Sequence, residues 1–253
     1  MTMINNVIVM SYNRPRMVRE AIESVLASKA EVVCWVYDDG SDFDIRSVIE
    51  DIGDNRVVLA VADKVTPEER VRPGSTRWST NMNWLLSKIP DGQTITYLCD
   101  DDILHPDWLF YADDMLMKNP NLHVVVGDMY YFYDGEDPFE DGRLGFPIEF
   151  EEEDGSLTTW WNLGAFTHRS ECFRKCDVKW RKGYKGHPHS WDVGYVTDIL
   201  KYHAGYVKIP VPAMYRREHP DTLSARAGRI EGGYYVRTAE EISPDHVRGM
   251  MER

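Results

Sequence analysis

No apolar run in this sequence approaches the ~18 residues that a membrane span requires. Residues Met1 to Asn6 also lack the positive start and long apolar core of a signal peptide. These absences predict a cytoplasmic protein without a membrane span. Cysteine is scarce: Cys34, Cys99, Cys172 and Cys176 are scattered, which argues for free thiols in a reducing compartment rather than a disulfide framework. Cys172 and Cys176 have no second close pair, so a zinc site is not indicated. Basic charge is short as well: 29 Lys and Arg against 42 Asp and Glu leave a formal net charge of −13. A field of that sign disfavours nucleic acid and anionic lipid as partners, while leaving room for a local basic pocket around one small anion. No internal repeat is visible.

What is present suits a folded α/β protein. The 253 residues are 43% hydrophobic and 12% aromatic, enough for a substantial core. Asn6 to Met10 (NVIVM) is a short β-branched run of the kind a buried strand shows. After the polar turn Ser11-Tyr12-Asn13-Arg14-Pro15, Val18, Ala21, Ile22, Val25 and Leu26 recur at helical spacing. Val32 to Tyr37 is a second buried strand, Ile45 to Ile52 a short helix and Val57 to Val61 a third strand. This alternation predicts a mostly parallel central sheet. Asp63 to Thr76 reads as an Arg-rich loop, Thr80 to Ile89 as a helix, Gln93 to Cys99 as a strand and Trp108 to Lys118 as a helix. Val124 to Gly127 is another strand, continued by the aromatic run Tyr130 to Tyr133. The acidic stretch Asp134 to Asp154 reads as an exposed loop or hairpin. Later elements are a helix from about Ser170, another over Asp192 to Tyr202, and a strand at Tyr206 to Ile209 ending before Pro210 and Pro212.

Parallel α/β sheets bind ligands beyond the carboxyl ends of their strands. Ser11 to Arg14, Asp38-Asp39-Gly40-Ser41 and Asp100-Asp101-Asp102 all fall at such ends. Three adjacent carboxylates repel one another, and a hard divalent cation such as Mg²⁺ or Mn²⁺ suits such an oxygen cluster. An acidic triplet elsewhere would be a solvated turn; at the end of a buried strand, metal is the better account. Asp38 to Ser41 alone is an ordinary turn sequence, but a carboxylate there could accept a hydrogen bond from a nucleobase. Arg14, Arg70, Arg72 and Arg77 are a basic group in an acidic chain, and a guanidinium binds phosphate bidentately; exposed loop arginines are the plain alternative. Asp192 sits at an expected helix start, where capping is the commonest role and general-base catalysis the functional one. Arg216-Arg217-Glu218-His219 reads as a solvated loop, from which His219 could reach metal or phosphate. Trp160, Trp161 and Trp191 could stack on a sugar, with core packing the simpler account for each. His187 and His189 lie in a Gly/His loop.

Together these blocks resemble the family 2 inverting glycosyltransferases of GT-A fold, and most closely the spore-coat polysaccharide glycosyltransferase type. The resemblance is carried by Val7 to Arg14 (VIVMSYNR), Asp38 to Ser41 (DDGS), Asp54 to Val57 (DNRV), Thr76-Arg77 and Ile95 to Trp108 (ITYLCDDDILHPDW). Looser matches are Thr159 to Asn162, His168-Arg169 and Trp191-Asp192. It implies a Rossmann-like fold, a nucleotide-sugar donor with UDP favoured, Mn²⁺ or Mg²⁺, and a glycan or other hydroxyl acceptor. Ser11, Tyr12, Arg14, Asp39, Arg77 and Asp100 would bind the nucleotide. Asp101, Asp102 and His219 would hold metal, and Asp192 would be the base. Cys99 stands where many members have Asp. The implied organisation is one catalytic domain over 1–225, with a nucleotide-sugar half (1–103) and an acceptor half (104–225), followed by a peripheral tail (226–253). Two alternatives are a catalytically silent module of the same fold and a sugar-phosphate nucleotidyltransferase. The second should carry a Gly-rich loop after the first strand, and Ser11 to Pro15 contains no glycine.

Overall fold

A computed structural model describes residues 3–66, 77–145, 148–151, 157–160, 163–175, 180, 195, 196, 198, 199 and 206–219. Strand β1 (Asn5–Ser11) leads into helix α1 (Pro15–Leu26), then β2 (Val32–Asp38), α2 (Ile45–Ile52), β3 (Val57–Val61), α3 (Arg77–Leu86) and β4 (Thr94–Cys99). Val7, Ile8 and Val9 are all fully buried, which is why β1 reads as a continuous apolar run rather than an alternating one. Pro15 opens α1, where its missing N–H is no loss. Val18, Ala21, Ile22 and Val25 form the buried stripe of α1. Full burial of each larger side chain contributes about 1.5–3 kcal/mol. Helix α2 is capped by Asp44, whose side chain accepts from Arg46 N at 3.1 Å, and ends at Gly53 in the left-handed region.

These four strands pair in parallel, in the order β3-β2-β1-β4. The register sets Ser11 beside Asp38, and Met10 beside Cys99. The carboxyl ends of three adjacent strands are therefore level, and the turns that follow them share one edge of the sheet. Val7, Val9 and Leu98 face a core shared with α1 and α2, whereas Ile8, Ile95 and Tyr97 face the core on the α3 side.

The remaining elements are β5 (Ile103–Leu104), α4 (Trp108–Lys118), β6 (Val124–Tyr133), α5 (Pro138–Asp141), β7 (Arg143–Leu144), the hairpin β8 (Ile148–Glu151) with β9 (Leu157–Trp160), β10 (Phe166–Arg169), α6 (Glu171–Lys175) and β11 (Val207–Glu218). Strand β10 runs antiparallel to both β4 and β6, and the sheet continues through β11 to β5. Trp108 locks this junction from inside: its ring is fully buried and its Nε1 donates to Thr167 Oγ1 at 2.9 Å. A side chain at Gly127 would lie 2.6 Å from the Trp108 ring and 2.7 Å from Ala213 Cβ, so this contact requires glycine.

Several boundaries differ from the sequence reading. Helix α3 runs over Arg77–Leu86 rather than Thr80 to Ile89, so Arg77 belongs to a helix. The stretch Asp134 to Asp154 holds α5, β7 and β8. Strand β11 passes through Pro210 and Pro212 and includes Arg216, Arg217 and Glu218, which sequence alone placed in a loop. Only Met214 and Tyr215 pair with β5, so the prolines fall where that flank has no ladder to interrupt among the described residues.

The chain divides into two compact units. The first holds residues up to Phe132 and Glu136–Arg217; the second takes Tyr133–Gly135 and the described residues from Glu218 onward. Among the described residues no helix is long and apolar enough to cross a membrane.

Candidate functional site

The turn after β1 is built by Asn13 and Ser41. Asn13 has φ 55°, a left-handed conformation that asparagine tolerates better than most residues. Its N–H donates to Ser41 Oγ at 2.9 Å, and its side-chain oxygen accepts from Asp42 N at 2.7 Å. The turns after β1 and β2 are thereby tied together.

In the turn after β2, the two aspartates have separate roles. Asp38 is buried and structural: its carboxylate accepts from Gly40 N at 3.2 Å, from Ser41 N at 2.9 Å, and from the Ser41 hydroxyl. Asp39 instead pairs with Arg77 and accepts from the Tyr37 hydroxyl at 3.1 Å. Asn81, one turn along α3, donates to the same hydroxyl at 2.9 Å. Burial, with Asp39 nearby, raises the Tyr37 pKa, so the phenol stays a protonated donor. Arg77 also donates to the Asp63 carbonyl. Gly40 has φ 76°, and a side chain there would lie 3.1 Å from Asp63 O and Lys64 Cα. Only glycine satisfies both the backbone and the space.

The acidic turn follows β4. Asp100, Asp101 and Asp102 are each at most 9% exposed. Asp100 accepts from Tyr12 N at 2.9 Å and from Arg14 Nη1 at 2.7 Å. The same Arg14 nitrogen lies 2.9 Å from Asp101 Oδ2, so one guanidinium bridges two carboxylates. Burial pushes the Asp100 pKa up to about 6, with Asp101 adding and Arg14 and Tyr12 N opposing. Burial, and then Asp101, raises Asp102 well above the ordinary carboxylate range. Cys99 Sγ and one oxygen each of Asp101 and Asp102 lie within 4.8 Å of one another, a grouping that could hold a metal ion. The two carboxylates give it the hard oxygen donors that Mg²⁺ and Mn²⁺ take, and the thiol adds a softer one.

The structure thus brings together Tyr12 and Arg14 with Asp100, Asp101 and Asp102, and Asp39 with Arg77. Ser11 is buried at the end of β1; its carbonyl accepts from Asp39 N at 2.9 Å, and its hydroxyl has no hydrogen-bonding partner among the described residues. His219 is buried and belongs to the second compact unit. Asp192, Trp191, Trp161, His187, His189, Arg70 and Arg72 lie outside the described residues. Cys34 and Cys172 are buried free thiols, and Cys99 is half-buried at the strand end. Sequence reasoning missed Arg217 and Glu20. Arg217 is 4% exposed, its N–H donates to Asp102 Oδ1 at 3.2 Å, and its Nε donates to the Asp101 carbonyl at 3.0 Å. The signal that could have found it is the pairing of β11 with β5, which cannot be read from a proline-interrupted segment.

Level parallel strands, polar turns at their carboxyl ends and an acidic turn leading into an antiparallel extension define a GT-A fold, the architecture of nucleotide-diphospho-sugar transferases. Solved structures share it. S. aureus TarS 1–349 in complex with UDP superposes with a TM-score of 0.58 at 16% identity, covering 86% of this chain and 61% of that one. The mannosyltransferase PcManGT from Pyrobaculum calidifontis, in complex with GDP-Man and Mn²⁺, gives 0.56 at 15% identity, covering 89% and 59%. Residues 6–180 match the family model for glycosyl transferase family 2, and the chain belongs to that family. It is also 31% identical over 121 residues to Protein CgeD of Bacillus subtilis (strain 168). That stretch is 47% of this chain and 28% of CgeD, so the chain matches well under half of that relative's length.

Proposed function

We propose that this glycosyltransferase is metal-dependent and inverting, and moves a sugar from a nucleoside diphosphate, UDP before dTDP or GDP, to a hydroxyl of a glycan acceptor. One observation carries the reading: Tyr12 and Arg14, Asp39 with Arg77, and Asp100 to Asp102 converge at the level ends of three adjacent parallel strands. The complexes of TarS with UDP and of PcManGT with GDP-Man and Mn²⁺ support it by shared fold.

In this reading Ser11, Tyr12 and Asp39 line the pocket for the base. Arg14 and Arg77 face base and phosphates, and Asp100 meets the ribose. Asp101 and Asp102, with Cys99 beside them, would hold Mn²⁺ or Mg²⁺. When bound, a divalent cation would supply positive charge that favours a diphosphate leaving group. Arg77 adds a second positive charge on the same side. Asp192 takes the proton from the acceptor hydroxyl as that oxygen attacks the anomeric carbon. Attack opposite the leaving diphosphate inverts the anomeric centre.

The test is calorimetric titration of UDP, dTDP and GDP, each with and without Mn²⁺. Metal-dependent binding of one of them is the expected result and selects the donor class for a transfer assay. Tight metal-dependent binding without transfer to any acceptor in a broad glycan screen would favour a silent module. Absence of binding to all three would overturn the donor assignment.

A further inference from the structure

The acidic turn is held from two sides, and only one of them belongs to the nucleotide pocket. Strands β5 and β11 pair with Ile103 opposite Tyr215 and Leu104 opposite Met214. Continuing this antiparallel register by two residues sets Arg217 opposite Asp101. The contacts agree: Arg217 donates through its backbone N–H to Asp102 Oδ1 and through Nε to the Asp101 carbonyl. Its remaining end is fixed as well. The terminal nitrogen pairs with the Glu20 carboxylate on α1, and the guanidinium lies 4.9 Å from the centre of the Phe132 ring.

We infer that Arg217, held by Glu20 and Phe132, is a positioning residue whose side chain fixes the Asp101 backbone, and with it the direction of the acidic turn, so that the Asp101 and Asp102 carboxylates face one divalent cation. In this reading it acts on the cation through the turn. The charge of Arg217 is answered by Glu20, so its contribution to the turn is direction rather than neutralisation. Planarity matters for the same reason. A guanidinium can donate to a carbonyl from Nε while its far end meets a carboxylate, and a lysine ammonium has no such spread. Residues that orient the ligands of a metal commonly alter its affinity by 10- to 100-fold when replaced. This inference rests on the acidic turn being the metal site proposed above.

The experiment uses Mn²⁺ alone as the probe, followed by loss of the free-ion electron paramagnetic resonance signal. It compares the full-length wild type with Arg217→Lys, Arg217→Met and Glu20→Gln, and thermal melts are run alongside. Arg217→Met and Arg217→Lys are expected to weaken Mn²⁺ binding by about tenfold or more. Glu20→Gln frees only the far end of the guanidinium and should cost about threefold. Glu20 is partly exposed, so this variant is expected to fold even if both Arg217 variants do not. Leu86→Ala is the control: it truncates a buried side chain in the α3-side core, separate from the core that packs α1 and β11, and should lower the melting temperature with unchanged Mn²⁺ affinity. Folded variants that bind Mn²⁺ as the wild type does would overturn the role of Arg217 and leave the metal site standing. A wild type that takes up no Mn²⁺ would overturn the metal site, and the role of Arg217 with it.

Discussion

Asp113 offers a quantitative test of the packing of α4 against the amino end of β1. It lies on α4 and is 6% exposed. Asn5 Nδ2 donates to its Oδ2 at 2.8 Å, while its Oδ1 is buried with no hydrogen-bonding partner among the described residues. Burial pushes the Asp113 pKa up to about 6, with the Asn5 hydrogen bond opposing. An unfolded aspartate titrates at about 3.9. The folded chain therefore holds this proton more tightly than the unfolded chain does. The resulting stability is fully present below about pH 4 and is lost as pH rises through about 6. The full difference corresponds to roughly 3 kcal/mol. Asp113→Asn removes the charge and keeps an oxygen for Asn5. Its new amide N–H₂ would face the side where Oδ1 has no partner, which costs roughly 1–2 kcal/mol. The expected outcome is a variant about 1–2 kcal/mol more stable than wild type at pH 8 and about equal or slightly less stable at pH 4.5. Urea unfolding at both pH values measures this directly. Comparing the two proteins cancels the other groups that titrate in the same range, Asp100 among them. A stability difference that does not change between the two pH values would refute the reasoning.

Three further outcomes concern the site. Asp101→Ala and Asp102→Ala should abolish the Mn²⁺ dependence of nucleotide binding seen by calorimetry; unchanged affinity in both would remove them as ligands. Asp192→Asn should keep donor binding and slow transfer by about 10²- to 10⁴-fold in a product-release assay, as expected for loss of a general base; a near-wild-type rate would rule that role out. Gly40→Ala should cost at least about 1 kcal/mol from the left-handed backbone, with more from its contact with Asp63 and Lys64. It should also weaken nucleotide binding, because Asp39 is next to it in the turn; a melting temperature equal to wild type would sink this account.

The centre of the parallel sheet was legible because its strands are largely buried on both faces. Within Asn5–Ser11 and Val32–Asp38, Val7 to Met10 and Val32 to Tyr37 are unbroken apolar runs, and each ends where the polar turn begins. The acidic turn announced itself for the same reason: carboxylates are conspicuous after a buried strand. Strand β11 was not legible. Its prolines and paired arginines are loop residues by composition, and the partner that buries Arg217 lies some hundred residues away in β5 and the turn before it. The division of labour in Asp38-Asp39 was also hidden. Both are aspartates in one turn, and only the closure of Asp38 on Gly40 and Ser41 shows which of them is left to meet Arg77. A buried polar group depends on its partner across space, so residue type cannot report it. Tyr97, His168 and Tyr195 make the same point: their side chains meet in the α3-side core, with Tyr97 Oη 3.1 Å from Tyr195 Oη and 3.2 Å from His168 Nε2.

Helix α1 links these observations. Arg14 sits immediately before its first residue and bridges Asp100 and Asp101. Glu20, six residues later, anchors Arg217, which grips the Asp101 carbonyl and the Asp102 carboxylate from β11. Six residues of helix span about 9 Å, and a helix holds that distance with little play. The buried stripe Val18, Ala21, Ile22 and Val25 fixes α1 against β1 and β2, so the two arginine contacts are referred to the same rigid element. Buried like charges at one turn repel, and a loop holding them alone would open toward water. Here the repulsion is opposed by groups whose own positions are set by apolar packing. The acidic turn is therefore ordered by the same core that packs α1, and substitutions in the α1 stripe should disturb cation affinity as well as stability, whereas equal losses of stability in the separate α3-side core should not.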